Sequence, residues 1–252
     1  MIEAGSLIRS LSGRPAARNF HTFVINEIGH AIVTGRFPIG SILANDAEMM
    51  ENYGVSRTVL REALKTLEAK GLVEARPKVG TRVSPASRWS LFDPQVLSWH
   101  FYAAPDAQFY ESLFEVRRAL ELPAASRAAG RRTSENIRGM KYWLHQLESA
   151  NGDLENHGIA ELEIHRIIAE TSGNALMRSV TGLVELTLAL ALRQCAEKGE
   201  EGYLERSRAA LTRLVEAIGN SDAAGAAAIV GEVIDLDEDR VFTALPEPKA
   251  AS

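Results

Sequence analysis

The chain has 252 residues, enough for two domains, and its hydrophobic share of 46% and charged share of 24% are typical of a globular protein. A single cysteine, Cys195, excludes an intrachain disulfide, and the longest apolar run, 186–192, is too short to cross a bilayer. The net charge of −5 is uneven, because 1–85 carries 11 basic and 8 acidic residues whereas 86–252 carries 17 and 25. A small basic region therefore precedes a larger acidic one, a pattern that keeps nucleic-acid binding open.

The N-terminal part of the chain predicts an arm followed by two helices. Residues 1–18 are small, polar and arginine-containing, so we expect a flexible N-terminal arm. Apolar residues recur at helical spacing over 19–34, which predicts the first helix. The stretch GRFPIGS ends it, and a short helix is predicted over Asp46–Tyr53 with Asn45 as its N-cap.

The next segment, VSRTVLREALKTLEAKG at 55–71, predicts an amphipathic helix between the cap Ser56 and the stop Gly71. One side of this helix is apolar: Val59, Leu60, Ala63, Leu64 and Leu67. Three cations four residues apart follow one flank: Arg57, Arg61 and Lys65. A solvated basic face is the ordinary explanation of such a row, and a nucleic-acid contact is the alternative.

Two short alternating runs, LVEA and TRVS, follow Gly71 and are separated by RPKVG, which predicts a β-hairpin. Helix, short helix, turn, basic helix and hairpin together predict a winged helix-turn-helix over 19–84. In such modules the second helix of the pair enters the major groove and the wing touches the DNA backbone. This favours the nucleic-acid explanation of the cation row.

The remainder of the chain predicts a linker and a helical bundle. Residues 85–106, rich in proline, are expected to form a linker with a short helix near 94–102, and we expect this linker to be the joint between two domains. No strand pattern appears in 107–245, where an all-α helical bundle with a substantial core is predicted. Its expected helices are 107–130, 133–150, 154–171, 174–198, 202–219 and 222–243. The fold class is therefore mainly α, a winged helix-turn-helix followed by an all-α bundle.

These segments resemble a known family. Residues 20–83, with GRFPIGSIL, GVSRTVLREALKTLEAKGLV and GTRV, resemble the DNA-binding domain of GntR-family bacterial transcription regulators. The segments EVRRALELPAA from Glu115 and ELEIHRIIAETSGN from Glu161 resemble the all-helical FCD effector-binding domain of the FadR-type branch. The stretch 88–99 is similar to linkers of sugar-acid regulators in that branch.

The resemblance implies roles for individual residues on DNA. Arg57 and Arg61 match recognition-helix arginines that read base edges, and Ser56 and Thr58 match positions that touch phosphate. The implied DNA-binding set is Ser56, Arg57, Thr58, Arg61, Lys65, Lys78 and Thr81, with the last two at the wing tip. Many members carry an arginine where this chain has Ala47, so the operator sequence of relatives does not transfer.

The resemblance also raises the question of a metal. Many FCD domains bind a divalent metal through an aspartate, a histidine four residues later and two further histidines. The matching positions here are Glu161, His165, Leu211 and Val233, and leucine and valine cannot ligate. We therefore expect no metal and no other cofactor, and a hydrogen-bonding pocket at Glu161 and His165. A satisfied core histidine at position 165 is the structural alternative.

Arg117 and Arg193 complete the predicted effector-binding set with Glu161 and His165. The family position of Arg117 points into the bundle, where its fork could hold a carboxylate ligand. A surface salt bridge to Glu121 is the alternative. An unpaired buried guanidinium would also attract small anions such as citrate. The other five histidines show no ligand spacing.

We expect a cytoplasmic, homodimeric, ligand-responsive repressor of catabolic genes. Its expected partners are double-stranded operator DNA and a small carboxylate effector, and no membrane. Two alternatives remain: a constitutive dimeric DNA-binding protein without effector, and a metal-dependent enzyme using Glu161 and His165. The enzyme is disfavoured, with no catalytic residue assigned, because no nucleophile, phosphate loop or full ligand set accompanies this pair.

Overall fold

The computed structural model describes residues 5–11, 20–103, 107–178, 181–199 and 202–243. The chain forms two compact units, which we call the winged unit (Pro15–Pro105) and the helical unit (Met1–Arg14 with Asp106–Ser252). The elements in chain order are α1 (Ser6–Ser10), α2 (Phe20–Val33), α3 (Asp46–Tyr53), α4 (Arg57–Ala69), β1 (Val73–Arg76), β2 (Gly80–Val83), α5 (Pro94–Ala103), α6 (Ala107–Arg131), α7 (Ser134–Ser149), α8 (Leu154–Thr171), α9 (Ala175–Arg178), α10 (Thr181–Lys198), α11 (Tyr203–Gly219) and α12 (Ala223–Phe242). The predicted mainly-α fold class is confirmed.

The winged unit is built on one apolar core shared by α2, α3, α4 and the hairpin, which contributes Val73 and Val83. Helix α3 begins as predicted, because Asn45 Oδ1 accepts hydrogen bonds from the amides of Ala47 at 3.0 Å and Glu48 at 3.1 Å. The strands β1 and β2 pair antiparallel. The predicted helix-turn-helix and wing therefore form from local sequence signals.

The segment after the wing differs from the predicted linker. Helix α5 belongs to the winged unit, where Val96 and Trp99 join its apolar core. The indole Nε1 of Trp99 donates to Asn26 Oδ1 on α2 at 3.2 Å. The predicted joint over 85–106 is therefore wrong for the described residues up to 103, because two large apolar side chains anchor α5 to α2.

The chain between the wing and α5 is also fastened to the end of α4. The amide of Ser90 donates to the carbonyl of Lys70 at 3.0 Å, and Lys70 Nζ lies 2.6 Å from Asp93 Oδ2. Gly71 has a φ of +79°, and a Cβ there would lie 2.0 Å from the carbonyl oxygen of Arg88. Glycine at position 71 thus permits both the left-handed turn and this close approach.

The predicted flexible arm is wrong for its described part. Residues 6–10 form α1, which packs on α8 and α10 of the helical unit and buries Leu7 and Ile8. The rest of the predicted arm, 1–4 and 12–18, lies outside the described residues. Two adjacent apolar side chains gave too short a pattern to predict a helix that forms against other helices.

The helical unit packs α6 to α12 around an apolar core. The helix predicted over 174–198 is helical in both of its described parts, α9 and α10, and residues 179–180 between them lie outside the described part of the chain. The stretch Ala175–Lys198 is long and apolar enough to cross a membrane, but 67% of its most apolar 18-residue segment is buried inside the protein. Such burial is typical of the core helix of a bundle.

Candidate functional site

Helix α4 exposes one flank and buries the other. Ser56 is its N-cap, and its Oγ accepts a hydrogen bond from the amide of Val59 at 3.4 Å. Arg57, Thr58 and Arg61 are exposed. The opposite flank enters the core of the winged unit through Leu60, Ala63 and Leu67. The packing thus turns the two arginines outward, as a helix entering the major groove requires.

The wing presents a further cation. Lys78 is exposed at the tip of the hairpin and has a φ of 63°, in the left-handed region that side-chain-bearing residues rarely adopt. Thr81 is half-buried on β2, opposite Ala75 on β1. The predicted contacts of both residues with DNA stay predictions.

Lys65 is less available than the arginines. Its Nζ lies 2.8 Å from Glu62 Oε1, one turn earlier on α4. Both side chains are more than half exposed, so the pair is a weak one that DNA could compete with. Ala47 is exposed in the first turn of α3, at the position where many relatives carry an arginine.

A second cluster of polar side chains, which we call the Arg117 cluster, lies inside the helical unit. Arg117 on α6 has no exposed surface, and its Nε donates to Glu121 Oε2 at 2.7 Å. Its Nη1 donates to Thr187 Oγ1 on α10 at 3.0 Å and also to Asp237 Oδ2 on α12. The salt bridge to Glu121 therefore forms, but it is buried, and Arg117 is not the unpaired cation we predicted.

The cluster continues from Glu121 to α8. His165 Nδ1 lies 2.5 Å from Glu121 Oε1, and His165 Nε2 lies 3.9 Å from Glu161 Oε1. Ser207 on α11 donates to the other oxygen of Glu161 at 2.8 Å, and His157 Nε2 lies 3.4 Å from that oxygen. Glu161 and His165 thus belong to one hydrogen-bonded network with Arg117. The sequence had predicted that these three residues share an effector pocket, but not that they are linked to one another.

Ion pairing inside the cluster favours the charged forms of Glu121 and His165, but not that of Asp237. Burial raises the pKa of Glu121, but His165 and Arg117 outweigh it and hold this pKa at about 2. Burial alone would lower the pKa of His165, yet Glu121 raises it above its ordinary value. Burial raises the pKa of Asp237 and outweighs the opposing effect of Arg117. Asp237 is therefore the carboxylate of the cluster that most readily accepts a proton.

Asp237 also has a second partner. Tyr203 at the start of α11 is buried, and its hydroxyl donates to Asp237 Oδ1 at 2.5 Å. Burial and the nearby Asp237 raise the pKa of this tyrosine well above 10.0. The Arg117 cluster therefore joins five helices: α6, α8, α10, α11 and α12.

Three buried atoms of the cluster have no hydrogen-bond partner among the described residues: Arg117 Nη2, Glu161 Oε1 and His165 Nε2. A cavity next to His165 is lined by Glu121, His165, Thr181 and apolar side chains, but not by Arg117 or Glu161, and the space open to the centre of a water molecule is about 20 Å³. That space holds about one water molecule. A larger ligand would have to displace a side chain.

The positions matching the missing metal ligands are part of the apolar core. Leu211 on α11 and Val233 on α12 have no exposed surface and pack among other aliphatic side chains. In the described part of the chain, no group of three or more histidine, cysteine or carboxylate side chains is arranged to hold a metal ion. The expectation of no metal stays a prediction.

Arg193, the fourth predicted effector residue, lies near the end of α10. Its Nε is 4.0 Å from Glu197 Oε1, and its side chain is hydrogen-bonded to Tyr110 on α6. These contacts differ from those of the Arg117 cluster.

Several members of the cluster were missed in the sequence. His157 was read as showing no ligand spacing, although His157, Glu161 and His165 repeat every four residues and therefore share one face of α8. Asp237 contacts Arg117 from 120 positions away in the sequence, and Tyr203 contacts Asp237 from 34 positions away. No local pattern identifies such long-range pairs.

Comparison with known families agrees with this architecture. Residues 21–83 match the bacterial regulatory proteins of the gntR family, and residues 112–236 match the FCD domain. The HTH-type transcriptional regulator YieP of Escherichia coli is 31% identical over 170 residues, which are 67% of this chain and 74% of that protein. The galactonate operon transcriptional repressor of Escherichia coli is 27% identical over 199 residues, 79% of this chain and 86% of that protein.

A similar fold occurs in a solved structure, that of Lar from Listeria monocytogenes. It aligns with 92% of this chain and 100% of its own, with a TM-score of 0.66 and 16% identity. The matched families and the relatives are transcription regulators, so this chain is a DNA-binding transcription regulator and not an enzyme. The chain belongs to the GntR family and carries an FCD domain.

Proposed function

We propose that this chain is a cytoplasmic, homodimeric repressor of catabolic genes that releases its operator when a small organic acid binds the Arg117 cluster. The coarser part of this statement, a GntR-type regulator with an FCD domain, follows from the family. Proteins of these types bind operator DNA and small-molecule effectors. The effector class, the dimer and the direction of regulation are our proposal.

The DNA-binding part is supported by the exposed Arg57 and Arg61 on α4. An arginine fork can donate two hydrogen bonds to a guanine edge, and Lys78 on the wing can neutralise a phosphate. One winged module reads too few base pairs for genomic specificity, and two half-sites supply the rest. This requirement is the reason for proposing a dimer.

The effector part is supported by one observation: the buried Arg117 guanidinium retains an unpartnered nitrogen, Nη2. An entering carboxylate cannot simply be added, because Glu121 and Asp237 already pair with Arg117. We propose that it replaces Asp237, which has a raised pKa and can take up a proton when it leaves the guanidinium. Hydroxyl groups of the same ligand would satisfy Glu161 Oε1 and His165 Nε2.

Displacement of Asp237 would also supply the conformational change. The salt bridge to Arg117 is the buried one of the ion pairs that join α12 to α6, so its replacement by a ligand would let the two helices shift while the pairs of Arg118 with Asp235 and Glu238 stay in place. A ligand changes DNA affinity only through different affinities for two arrangements of the protein. In the proposed repressor, the acid binds the arrangement with the open salt bridge more tightly.

A thermal-shift screen of sugar acids, hydroxy acids and aromatic acids tests this proposal. Galactonate is the first compound, because a relative is named as the galactonate operon repressor. We expect one acid to raise the midpoint, more strongly at pH 6 than at pH 8 because a proton is taken up, and to release DNA in a gel-shift assay.

The matched variants are Arg117→Lys and Arg118→Lys, which retain the charge but lose the fork. Arg118 is a suitable control because it pairs with Asp235 and Glu238 at the partly exposed surface. Only Arg117→Lys should lose the response to the acid. If no acid shifts the midpoint, the constitutive DNA-binding alternative is correct.

A further inference from the structure

The wing is held by an extended segment from the turn between α2 and α3. Residues 40–43, which we call the brace segment, run antiparallel to β2 along the edge that β1 leaves open. The amide of Leu43 donates to the carbonyl of Thr81 at 2.8 Å. The amide of Val83 donates to the carbonyl of Ser41 at 2.9 Å. Because an isolated two-stranded hairpin is only marginally stable, this pairing fixes β2 to the rest of the winged unit.

Arg82 on β2 adds a side-chain bond to this pairing. Its Nε donates to the carbonyl of Gly40 at 2.7 Å, so the guanidinium reaches across the edge of β2 to the start of the brace segment. Gly40 has a φ of +82°. Glycine at this position permits the left-handed turn whose carbonyl accepts the bond.

The bond to Gly40 takes the place of an ion pair. Glu74 lies directly opposite Arg82 on β1, but both of its carboxylate oxygens have other partners. Arg76 Nη2 lies 2.6 Å from Glu74 Oε1, and Arg88 Nη1 lies 2.8 Å from Glu74 Oε2. In the described part of the chain, Arg82 forms no salt bridge. Its guanidinium therefore holds two backbone segments together, and its charge is not neutralised by a carboxylate.

The position of the wing tip depends on how firmly β2 is held. Lys78 lies beyond the end of β2, four residues before Arg82, so about 13 Å of extended chain separates the tip from the bond to Gly40. A hairpin that is loose at its base lets its tip sample many positions, and ordering such a segment on binding costs free energy. A fixed β2 therefore favours the contact of Lys78 with a phosphate.

We propose that Arg82 is a positioning residue for DNA binding, which fixes β2 to the brace segment and thereby holds the wing tip where Lys78 reaches a phosphate. Arg82 acts through Lys78 and makes no phosphate contact of its own. The brace itself stands on the hydrogen bonds within the winged unit, whereas its effect on DNA rests on the proposed contact of Lys78.

Two substitutions of similar length separate the donor of Arg82 from its charge. Arg82→Gln places an N–H donor at the position of Nε and removes the charge, whereas Arg82→Met removes both. Arg76→Met is the matched control, because Arg76 lies on the adjacent strand and pairs with Glu74, not with the brace segment. Each variant is made in the full-length protein, with and without Lys78→Ala.

Hydrogen exchange of the amides of Gly40, Leu43 and Val83 reports the brace, because each of them donates across the pairing of β2 with the brace segment. We expect Arg82→Met to accelerate this exchange about fivefold, whereas Arg82→Gln and Arg76→Met stay within about twofold of the wild type. Wild-type exchange in Arg82→Met would show that the side chain does not hold the segment and would overturn the proposal.

Fluorescence anisotropy then measures affinity for a duplex that the wild-type protein selects from a random library. Arg82→Met should weaken binding about fivefold and reduce the slope of log affinity against log salt by about 1, as the loss of the Lys78 contact does, whereas Arg82→Gln should stay within about twofold. Because Lys78 is already misplaced in Arg82→Met, adding Lys78→Ala should cost little there and its full amount beside Arg76→Met.

Two results would overturn the positioning role. Equal weakening by Arg82→Gln and Arg82→Met would mean that Arg82 contacts phosphate through its charge, and additive losses from Arg82→Met and Lys78→Ala would mean that the two residues act independently. If Arg82→Met does not fold, a fivefold loss in Arg82→Gln alone still refutes a role without charge. No effect of Lys78→Ala in the otherwise wild-type protein would refute the proposed wing contact and with it the effect on DNA, while the exchange measurement still decides whether Arg82 holds the brace segment.

Discussion

The two units use arginine in opposite ways. The winged unit keeps Arg57 and Arg61 on the exposed flank of α4, where a partner outside the chain can reach them. The helical unit buries Arg117 completely and supplies Glu121, Thr187 and Asp237 from three helices as partners. Exposed cations contribute little to folding and are available for DNA, whereas a buried one contributes to folding, and in the proposed function the ligand response depends on that same side chain.

The largest expected effect is on the free energy of unfolding, which should fall much further when a buried arginine is removed than when a surface arginine is removed. Arg117→Ala leaves Glu121 and Asp237 buried without their cation, which should lower the free energy of unfolding by about 3–5 kcal/mol. Arg118→Ala, one residue away at the partly exposed surface, should lower it by less than about 1 kcal/mol. Urea denaturation measures both, and equal losses would show that burial does not distinguish the two arginines.

The second largest effect is expected at low pH, where protonation of the buried carboxylates should reduce the stability that the Arg117 cluster contributes. The pKa of Glu121 falls from 4.5 to about 2 in the folded protein, so its contribution is present above pH 4.5 and is lost as the pH falls towards 2. Glu161 has a lowered pKa and acts in the same direction, while Asp237 has a raised pKa and partly opposes it. His165 has a raised pKa, so its contribution is lost at the opposite end, as the pH rises.

Urea denaturation at pH 5, 4 and 3 measures the acid effect. Glu121→Gln should flatten the pH dependence because the amide does not titrate. The control is Glu62→Gln, at an exposed carboxylate on α4 whose pKa is lowered by its hydrogen bond to Lys65 at the solvent-screened surface, and it should flatten the curve much less. If the free energy of unfolding of Glu121→Gln depends on pH as in the wild type, other groups cause the loss of stability in acid.

Base reading by α4 is the third comparison. Arg61→Ala should cost about 1–3 kcal/mol of binding to a selected operator and less on random DNA, because a guanine contact is sequence-specific. Lys65→Ala should cost less, because Lys65 already pairs with Glu62. Fluorescence anisotropy with both duplexes measures the difference, and an equal loss on the two duplexes would refute base reading by Arg61.

The smallest effect is expected at the wing. Lys78→Ala should weaken binding to specific and random DNA alike and reduce the slope of log affinity against log salt by about 1, because one phosphate contact is lost. Lys78→Gly should do the same while relieving the positive φ at the wing tip. A salt slope equal to that of the wild type in both variants would remove Lys78 from the interface.

Sequence reasoning succeeded where the signals are local. The cap Asn45, the cap Ser56 and the alternation around the wing each depend on a few neighbouring residues, and the structure has all three. It failed where partners are distant, since nothing near Arg117 identifies Asp237 as its counter-ion. The helix α1 was missed for the same reason, because Leu7 and Ile8 are buried against the distant helices α8 and α10.

The contacts between the segment that follows the wing, residues 88–93, and the C-terminal end of α4 have a mechanical consequence. Ser90 bonds the carbonyl of Lys70, Asp93 holds the ammonium of Lys70, and the carbonyl of Arg88 lies against Gly71. Helix α4 and the start of α5 are therefore held together by a hydrogen bond, an ion pair and a close backbone contact. We expect a force on α5 to be transmitted to α4, and so to Arg57 and Arg61, the two residues predicted to contact DNA.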